Sequence, residues 1–364
     1  MNQRIILHVD FDYFYAQCEE IRTPALKTKP VVVCKFSDRG GDSGAIATAN
    51  YMAREFGVKS GLSIRSAKQK LKNRTDSAFL PADFEYYSEM SEKSMNIIQK
   101  FADIFEYVGR DEAYLDVSEK VEQDFAKAGH IAQQIKNEVR KKTKLTCSVG
   151  ISPNKLLSKI ASSYKKPDGL TTITPDKISE FMETLNLGDI HGIGKKTVQK
   201  LAEEGIETIS QAKNLDIFVL ISMFGKKTGA YIHNAVRGID KDAVKIRAPT
   251  SQLSKIMTLK EDSVDYTFLE KNLLKLCEKL HSSITKENKM FRTVGIYLTQ
   301  TDLSSKTKSR MLRNSTLSLD ELKKVSVQLL KEALEDQSIL VRRLGVKVSE
   351  LSDIKGQSNI TNYF

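Results

Sequence analysis

Three carboxylates raise the first chemical question. Asp10 closes the apolar run RIILHV within HVDFDYFYA, and Asp111 and Glu112 stand side by side in EYVGRDEAYLDVS. Three uncompensated acids brought into one space repel each other strongly and lose hydration, so they need cations. All-oxygen ligation favours Mg²⁺ or Mn²⁺ over Zn²⁺. Two such ions, roughly 3.5–4 Å apart, suit in-line phosphoryl transfer: one activates a 3′-hydroxyl and the other holds a triphosphate and its leaving group. Adjacent strand residues, however, point to opposite faces. Asp111 and Glu112 can therefore serve one site only if a turn or bulge separates them.

The flanking elements offer that break. RIILHV (4–9) and PVVVCKF (30–36) read as buried strands, being short, apolar and β-branched. DYFYAQCEEI reads as a helix. RGGDSGAIATANYMAREFG reads as a Gly-rich loop that passes into a helix ending near Gly57. After the polar stretch KNRTDSAFLPAD comes the helix YYSEMSEKSMNIIQKFA. A strand over 104–108, the acidic pair, a strand over 113–117, a helix over about 121–142 and a strand over 145–152 follow. With the first strand this order is β–α–β–β–α–β, which predicts a ferredoxin-like sheet with helices on one face. The acidic pair then falls in a tight connection beside the central first strand, and all three carboxylates can lean toward one point.

Length and composition set bounds. A chain of 364 residues exceeds one ordinary core and predicts several domains. No run of about 18 apolar residues offers a membrane span, and the N-terminus enters a strand without the regions of a signal peptide. A cytoplasmic, nucleoid-associated protein is expected. Cys18, Cys34, Cys147 and Cys277 are too scattered for a zinc site or a disulfide framework, and are expected to be reduced and packed. The net charge of +11 is the usual footprint of phosphate-backbone binding.

Several of the basic residues after residue 175 fall in recognisable patterns. LNLGDIHGIGKKTVQKLAEEGIETISQ has the signature of a helix-hairpin-helix: Gly192 and Gly194 permit a tight turn whose N–H groups can face a DNA phosphate, with Lys195 and Lys196 beside it. MFGKKTGAYIHNAVRG (223–238) extends the same helical module. IDKDAVKIRAPTSQ (239–252) is polar and without period, which suits a linker. The segment from 250 to 350 has α/β patterning. Lys306, Lys308 and Arg310 recur at spacing two, and Arg343 and Lys347 share one strand face opposite Leu344, Val346 and Val348. These positions predict a sheet with one basic face set against a duplex. The end, SDIKGQSNITNYF, is polar until its last aromatic pair and predicts disorder in isolation.

The fragments VDFDYFYAQCEE, GDSGAIATANYMAREFGVKSG, DEAYLDVS, SVGISPNKLLSKIAS, KKPDGL and HGIG occur in the order found in Y-family DNA polymerases. The chain resembles the archaeal DinB-like lesion-bypass enzymes of that family over nearly all of residues 4–350. The resemblance implies an α+β multidomain right hand. It has a palm (1–13 and 83–173), small fingers (14–82), a helix-hairpin-helix thumb (174–238), a linker (239–249), a little finger (250–350) and a flexible tail (351–364). It implies metal ligation by Asp10, the Phe11 backbone carbonyl, Asp111 and Glu112. It makes Tyr15 the steric gate against a ribose 2′-hydroxyl, and it implies that Tyr13, Thr48, Tyr51, Arg54 and Lys166 hold the incoming deoxynucleoside triphosphate. Gly40, Gly41, Gly44, Ala45, Ala47 and Gly61 would make a shallow roof that checks a base pair loosely.

One departure marks the sequence. Gly109 and Arg110 precede the acids where the family usually has Ser and an aliphatic residue. Arg110 could pair with an acid, touch a phosphate or point away. QSNITNYF resembles the peptide that binds a PCNA-type sliding clamp, with Gln357, Ile360, Tyr363 and Phe364 at its spacing. The expected protein is thus a monomeric, low-fidelity polymerase that extends primer–template DNA without proofreading. Two rivals differ from it in class: another palm-type or Asp-x-Asp phosphoryl-transfer enzyme, active without primer–template, and a non-catalytic DNA-bound clamp partner, indifferent to loss of the acids.

Overall fold

The computed structural model describes residues 4–246, 250–335 and 340–354. The first half of the chain runs β1 (Ile6–Phe11), α1 (Phe14–Arg22), β2 (Val31–Phe36), β3 (Gly44–Ala49), α2 (Tyr51–Glu55), α3 (Ile64–Lys70), β4 (Ala78–Pro81) and α4 (Phe84–Ile98). Then come β5 (Ile104–Tyr107), β6 (Glu112–Asp116), α5 (Phe125–Thr143), β7 (Cys147–Ser152), α6 (Lys155–Tyr164) and β8 (Leu170–Thr172). Among the described residues, two compact units form: one holds 4–35, 46–62 and 66–246, the other 36–45, 63–65 and the residues from 250 on.

Alternation builds the central sheet, whose order is β5-β6-β1-β7-β8. β1 pairs antiparallel with both β6 and β7. The odd residues Leu7, Val9 and Phe11 face a core with Leu115, Val149 and Ile151, completed by Tyr87 and Ile98 of α4 and Ile135 and Val139 of α5. Each fully buried side chain of this kind contributes about 1.5–3 kcal/mol. The expected ferredoxin-like order is present, with two differences. β8 adds a fifth strand, parallel to β7. Helices also cover both faces, because α6 lies against the even one. A Cβ on Gly150 would sit 2.0 Å from Ser158 O and 2.4 Å from Ser162 N, so only glycine lets α6 approach this closely.

A separate three-stranded sheet has the order β3-β2-β4. Its β3 corrects the expectation of a loop running into a helix: GAIATA is too rich in small residues to show a strand pattern, and pairing within the sheet makes it one. Asn50 then starts α2, its Oδ1 accepting from Ala53 N at 3.1 Å and Val31 N at 3.0 Å.

A helical module follows, with α7 (Ile178–Glu183), α8 (Lys195–Glu203), α9 (Ile209–Lys213), α10 (Ile217–Phe224) and α11 (Lys226–Ala235). Its core includes Leu156, Leu157 and Ile160, the outer side of α6. Residues 239–246 are less free than their composition suggests. Val244 is buried against Ile6 and Tyr114, Arg4 donates to the Asp240 and Asp242 carbonyls, and Lys245 N donates to Glu106.

The second unit contains β9 (Gln252–Ser263), α12 (Tyr266–Lys286), β10 (Lys289–Gln300), β11 (Ser305–Thr316), α13 (Leu319–Leu334) and β12 (Val341–Ser349), with sheet order β11-β10-β12-β9. The buried residues Val294, Ile296, Leu298, Leu344, Val346 and Val348 face α12 and α13. The register corrects the expectation of a single basic face. Lys306, Lys308 and Arg310 pair with Leu298, Ile296 and Val294 and therefore lie on the helix side. There Lys306 Nζ donates to Ala333 O and Lys308 Nζ to Glu332 O, while Arg310 pairs with Glu332. Arg343 and Lys347 pair with Thr299 and Gly295 and lie on the opposite, open side. Spacing two fixes that residues share a face, but the neighbouring strand decides which face it is.

Candidate active site

Two of the three acids come from neighbouring strands. Asp10 lies directly opposite Glu112 in the β1–β6 register, so both carboxylates project from the even face at the same strand end. The opening difficulty is resolved by the turn. Val108 N and Gly109 N both approach Glu112 O, at 3.2 Å each, and Asp111 sits in the bend before β6 begins. The period of two is broken there. Asp111 O accepts from Phe11 N at 2.8 Å, which ties the bend to the end of β1.

Electrostatics bind the three together. Burial pushes the Asp111 carboxyl up, and the charges of Asp10 and Glu112 push it further. Burial also opposes ionisation of Glu112, but His8 and Lys159 outweigh it and hold that carboxyl down at about 2. Lys159 pairs with Glu112, and Lys166 pairs with Asp10. Lys166 is carried by a loop that Asp12 anchors. The buried Asp12 carboxylate accepts from Ser148 Oγ and Thr146 Oγ1 at 2.8 Å and from Asp168 N at 2.9 Å.

His8 was not singled out in the sequence. It is fully buried on the same face as Asp10, with Nδ1 2.7 Å from Ser162 Oγ and Nε2 3.3 Å from Glu112 Oε2. His8, Asp10 and Glu112 bring donor atoms within 4.8 Å of one another. Asp111 stands outside that set while feeling both charges. Nε2 faces the Glu112 carboxylate, and two carboxylates gathered around a buried imidazole fit a site that takes a cation. The only available signal was alternation, which places residue 8 on the face of residue 10.

The turn from β1 into α1 brings in the aromatic residues. Tyr13 adopts the left-handed backbone (φ 35°, ψ 45°) uncommon outside glycine, and its hydroxyl donates to Glu20 at 3.1 Å. Its ring meets Tyr51 edge-on at 5.2 Å, and the Arg54 guanidinium lies 5.0 Å from the Tyr51 ring centroid. Burial, then Asp12 and Asp10, push the Tyr51 hydroxyl up to about 12 despite Arg54. Thr48 is buried in β3, and Arg54 Nε donates to Ala49 O at 2.8 Å. Tyr15, one residue into α1, stacks on Tyr87. Phe11 ends β1 beside Asp10.

Arg110 points away from the acids. Its Nε donates to Ser88 Oγ at 3.0 Å, and its guanidinium lies 5.6 Å from the Phe84 ring. In the helical module Gly192 has φ +87° and lies against Tyr231, whereas Gly194 opens α8 with free space around it. Lys195 and Lys196 are exposed beside it. Gln357, Ile360, Tyr363 and Phe364 lie outside the described residues. The four cysteines are buried and unbridged. No helix among the described residues is long and apolar enough to cross a membrane.

A split-βαβ sheet with acids at one strand end, followed by a helix-hairpin-helix module, defines the palm and thumb of a nucleic-acid polymerase. Family models match accordingly: the impB/mucB/samB family over residues 9–163, its C-terminal domain over 250–361, and the DNA polymerase-iota thumb domain over 188–240. A DNA polymerase IV of Nitrosopumilus maritimus (strain SCM1) is 63% identical over 364 residues, covering 100% of both chains. One from Saccharolobus solfataricus is 35% identical, covering 97% of this chain and 98% of its own. The solved Y-family DNA polymerase chimera Dbh-Dpo4(243-245)-Dbh matches with TM-score 0.89 and 33% identity over 96% of this chain and all of that one. An insertion ternary complex of Dbh DNA polymerase, also 33% identical, gives a TM-score of 0.69 over 96% of this chain and 100% of that one. The chain belongs to the DNA polymerase IV (DinB) group of the Y-family, and is a DNA-directed DNA polymerase of the translesion class. Polymerases of this family use divalent metal ions.

Proposed function

We propose that the protein adds deoxynucleotides to a primer 3′ end by two-metal phosphoryl transfer at the site of Asp10, Asp111 and Glu112. Their carboxylates, with the Phe11 carbonyl, would hold Mg²⁺, for which Mn²⁺ can substitute. The observation that carries this reading is the register pair Asp10–Glu112 with Asp111 in the adjoining bend. Bound divalent ions would supply the positive charge that a 3′-alkoxide and a triphosphate leaving group require. The chain's own groups do the rest. Thr48, Tyr51 and Arg54, beside Tyr13, offer hydroxyls and a guanidinium to phosphate oxygens. Lys166, already within reach of Asp10, adds a cation there. Tyr15 acts as the gate that excludes a ribose 2′-hydroxyl.

In this reading the palm comprises 1–13 and 83–173, the fingers 14–82, the thumb 174–238 and the little finger 250–350. Gly192, Gly194, Lys195 and Lys196 contact DNA phosphates, as do Arg343 and Lys347 from the open sheet face. Lys306, Lys308 and Arg310 serve DNA only from the sheet edge, since β11 is an edge strand. The enzyme works as a cytoplasmic, nucleoid-associated monomer of low fidelity without proofreading. Its last residues recruit it to a PCNA-type clamp, which raises its effective concentration at primer ends.

Primer extension on an undamaged template and on one with an abasic site, with Mg²⁺, tests the reading. Wild type extends past the lesion, and the Asp111→Ala/Glu112→Ala double variant extends neither template. Equal extension by both proteins would remove the carboxylates from the mechanism. Failure of wild type despite tight primer–template binding would favour a non-catalytic role.

A further inference from the structure

The Tyr15 ring is held by a closed circuit of side chains. It stacks on Tyr87 with centroids 4.7 Å apart and planes 20° from parallel. Phe84 stands edge-on to both, at 5.8 Å from Tyr15 and 6.1 Å from Tyr87. Tyr87 is fully buried, and its hydroxyl donates to Glu19 Oε1 at 2.6 Å. Glu19, only 3% exposed, also accepts from Arg22 Nη2 through both oxygens, at 2.8 and 2.7 Å. Arg22 Nη1 then donates to Asp83 Oδ2 at 2.8 Å. Asp83 caps α4, the helix that carries Tyr87, by accepting from Tyr86 N at 3.1 Å.

The circuit closes because of two four-residue spacings. Tyr15 and Glu19 share a face of α1, and Asp83 and Tyr87 lie one turn apart at the start of α4. A buried carboxylate gripped by a guanidinium is strongly directional. A phenol bonded to it cannot slide, and the ring stacked on that phenol cannot tilt without losing the stack. Within the site it is Tyr15 that meets this circuit, through its stack on Tyr87.

We propose that Tyr87 and Glu19 are positioning residues for sugar selection, fixing the plane and depth of the Tyr15 ring against the C2′ position of the incoming nucleotide. This rests on the reading of Tyr15 as the gate. A steric filter discriminates only while its ring stays within contact distance of the excluded hydroxyl, and misplacement by about 1 Å is enough to lose much of a geometric effect. The phenol–carboxylate clamp therefore sets the ratio of deoxynucleotide to ribonucleotide use without contacting either.

Single-nucleotide insertion by the full-length enzyme, with dNTP and with rNTP, tests this. Tyr87→Leu should lower the deoxy/ribo ratio of kcat/KM about tenfold, and Tyr87→Phe and Glu19→Gln about threefold. The kcat/KM for the correct dNTP, and discrimination against a mispaired dNTP, should stay within about threefold, which a general loosening of the fold would not allow. In a Tyr15→Ala background the Tyr87 substitutions should add nothing, because the group they position is gone. If Tyr87→Leu does not fold, the near-isosteric Tyr87→Phe and Glu19→Gln decide. An unchanged ratio in those variants, with the ratio collapsed in Tyr15→Ala, overturns this inference alone. An unchanged ratio in Tyr15→Ala overturns the gate reading and this inference with it.

Discussion

The palm sheet and the C-terminal sheet are both antiparallel in their main pairings and both pack two helices on one face, yet they treat the other face in opposite ways. The palm covers it with α6 against Gly150 and leaves only the strand end, where Asp10 and Glu112 stand half-buried over a buried His8. The C-terminal sheet leaves it open, with Arg343 and Lys347 among Thr293, Gly295, Thr299 and Ser309. Charge is used differently as a result. In the palm, low exposure lets a few like charges act strongly on one another and demand a counter-charge. On the open face, cations stay hydrated and suit many weak, exchangeable phosphate contacts.

The comparison can be broken most sharply at its charges. Glu112→Ala should lower primer extension about 10³-fold or more, with primer–template affinity by gel shift unchanged. Arg343→Ala/Lys347→Ala should do the reverse, weakening binding while saturating turnover holds. Loss of turnover at saturating DNA in the second variant would end the distinction.

Glycines give the next largest effect. Gly150→Ala places a methyl against the α6 backbone and should destabilise the protein by about 2–3 kcal/mol. At Gly345 the added Cβ would meet Ile256 Cγ1 at 2.7 Å and Tyr297 Cδ2 at 3.1 Å, with the nearest backbone atom, Lys255 O, at 3.2 Å, so the contact is mainly with side chains. Gly345→Ala should cost under about 1 kcal/mol. Denaturant melts of the two variants decide, and equal costs would mean that the open face is as tightly covered as the palm.

Salt dependence separates the two sides of the C-terminal sheet. Removing Arg343 and Lys347 should reduce the slope of log affinity against log salt by about 2. Lys306→Ala/Lys308→Ala should change the slope by less than about 1. It should instead lower stability by roughly 0.5–1 kcal/mol per lysine, because these groups satisfy carbonyls at the end of α13.

The smallest effect is in the metal-free stability of the palm. Glu112 is depressed to about 2, so its contribution is complete above its ordinary value near 4.5 and is lost as pH falls toward 2. Asp111 is raised; it costs stability once ionised, and the cost is relieved as pH falls through its folded pKa. Asp111→Asn should therefore raise the neutral-pH Tm in chelator by about 2 °C while abolishing extension, and Glu112→Gln should flatten the acid limb of a Tm–pH curve. A lower Tm for Asp111→Asn would show that the bend gains more from the charge than repulsion takes away.

Much of this was legible in the residues themselves. Alternation along HVD and EAYLD gave the strands, and the break before them was foreseeable from two adjacent acids. GIGKK located the helix-hairpin-helix turn. Other features are not legible there, His8 and β8 among them. GAIATA hid a strand because small residues carry little period. Arg110 could not be oriented, because its partners Ser88 and Phe84 lie on a helix whose packing no local pattern specifies. The face that Lys306 and Lys308 occupy is not legible locally, because spacing defines relative, never absolute, direction.

The sequence by itself determined what each residue shares with its near neighbours: His8 and Asp10 on one strand face, Tyr15 and Glu19 on one helix face, Lys306, Lys308 and Arg310 on one face of a strand. These follow from periods of two and 3.6, which are local properties of the backbone. Only the tertiary structure decided that Asp10 meets Glu112, that Glu19 meets Tyr87, and that α6 seals the face behind the acids. Those meetings depend on register and on which apolar surfaces find each other, and burial of that kind is non-directional until the whole chain has packed.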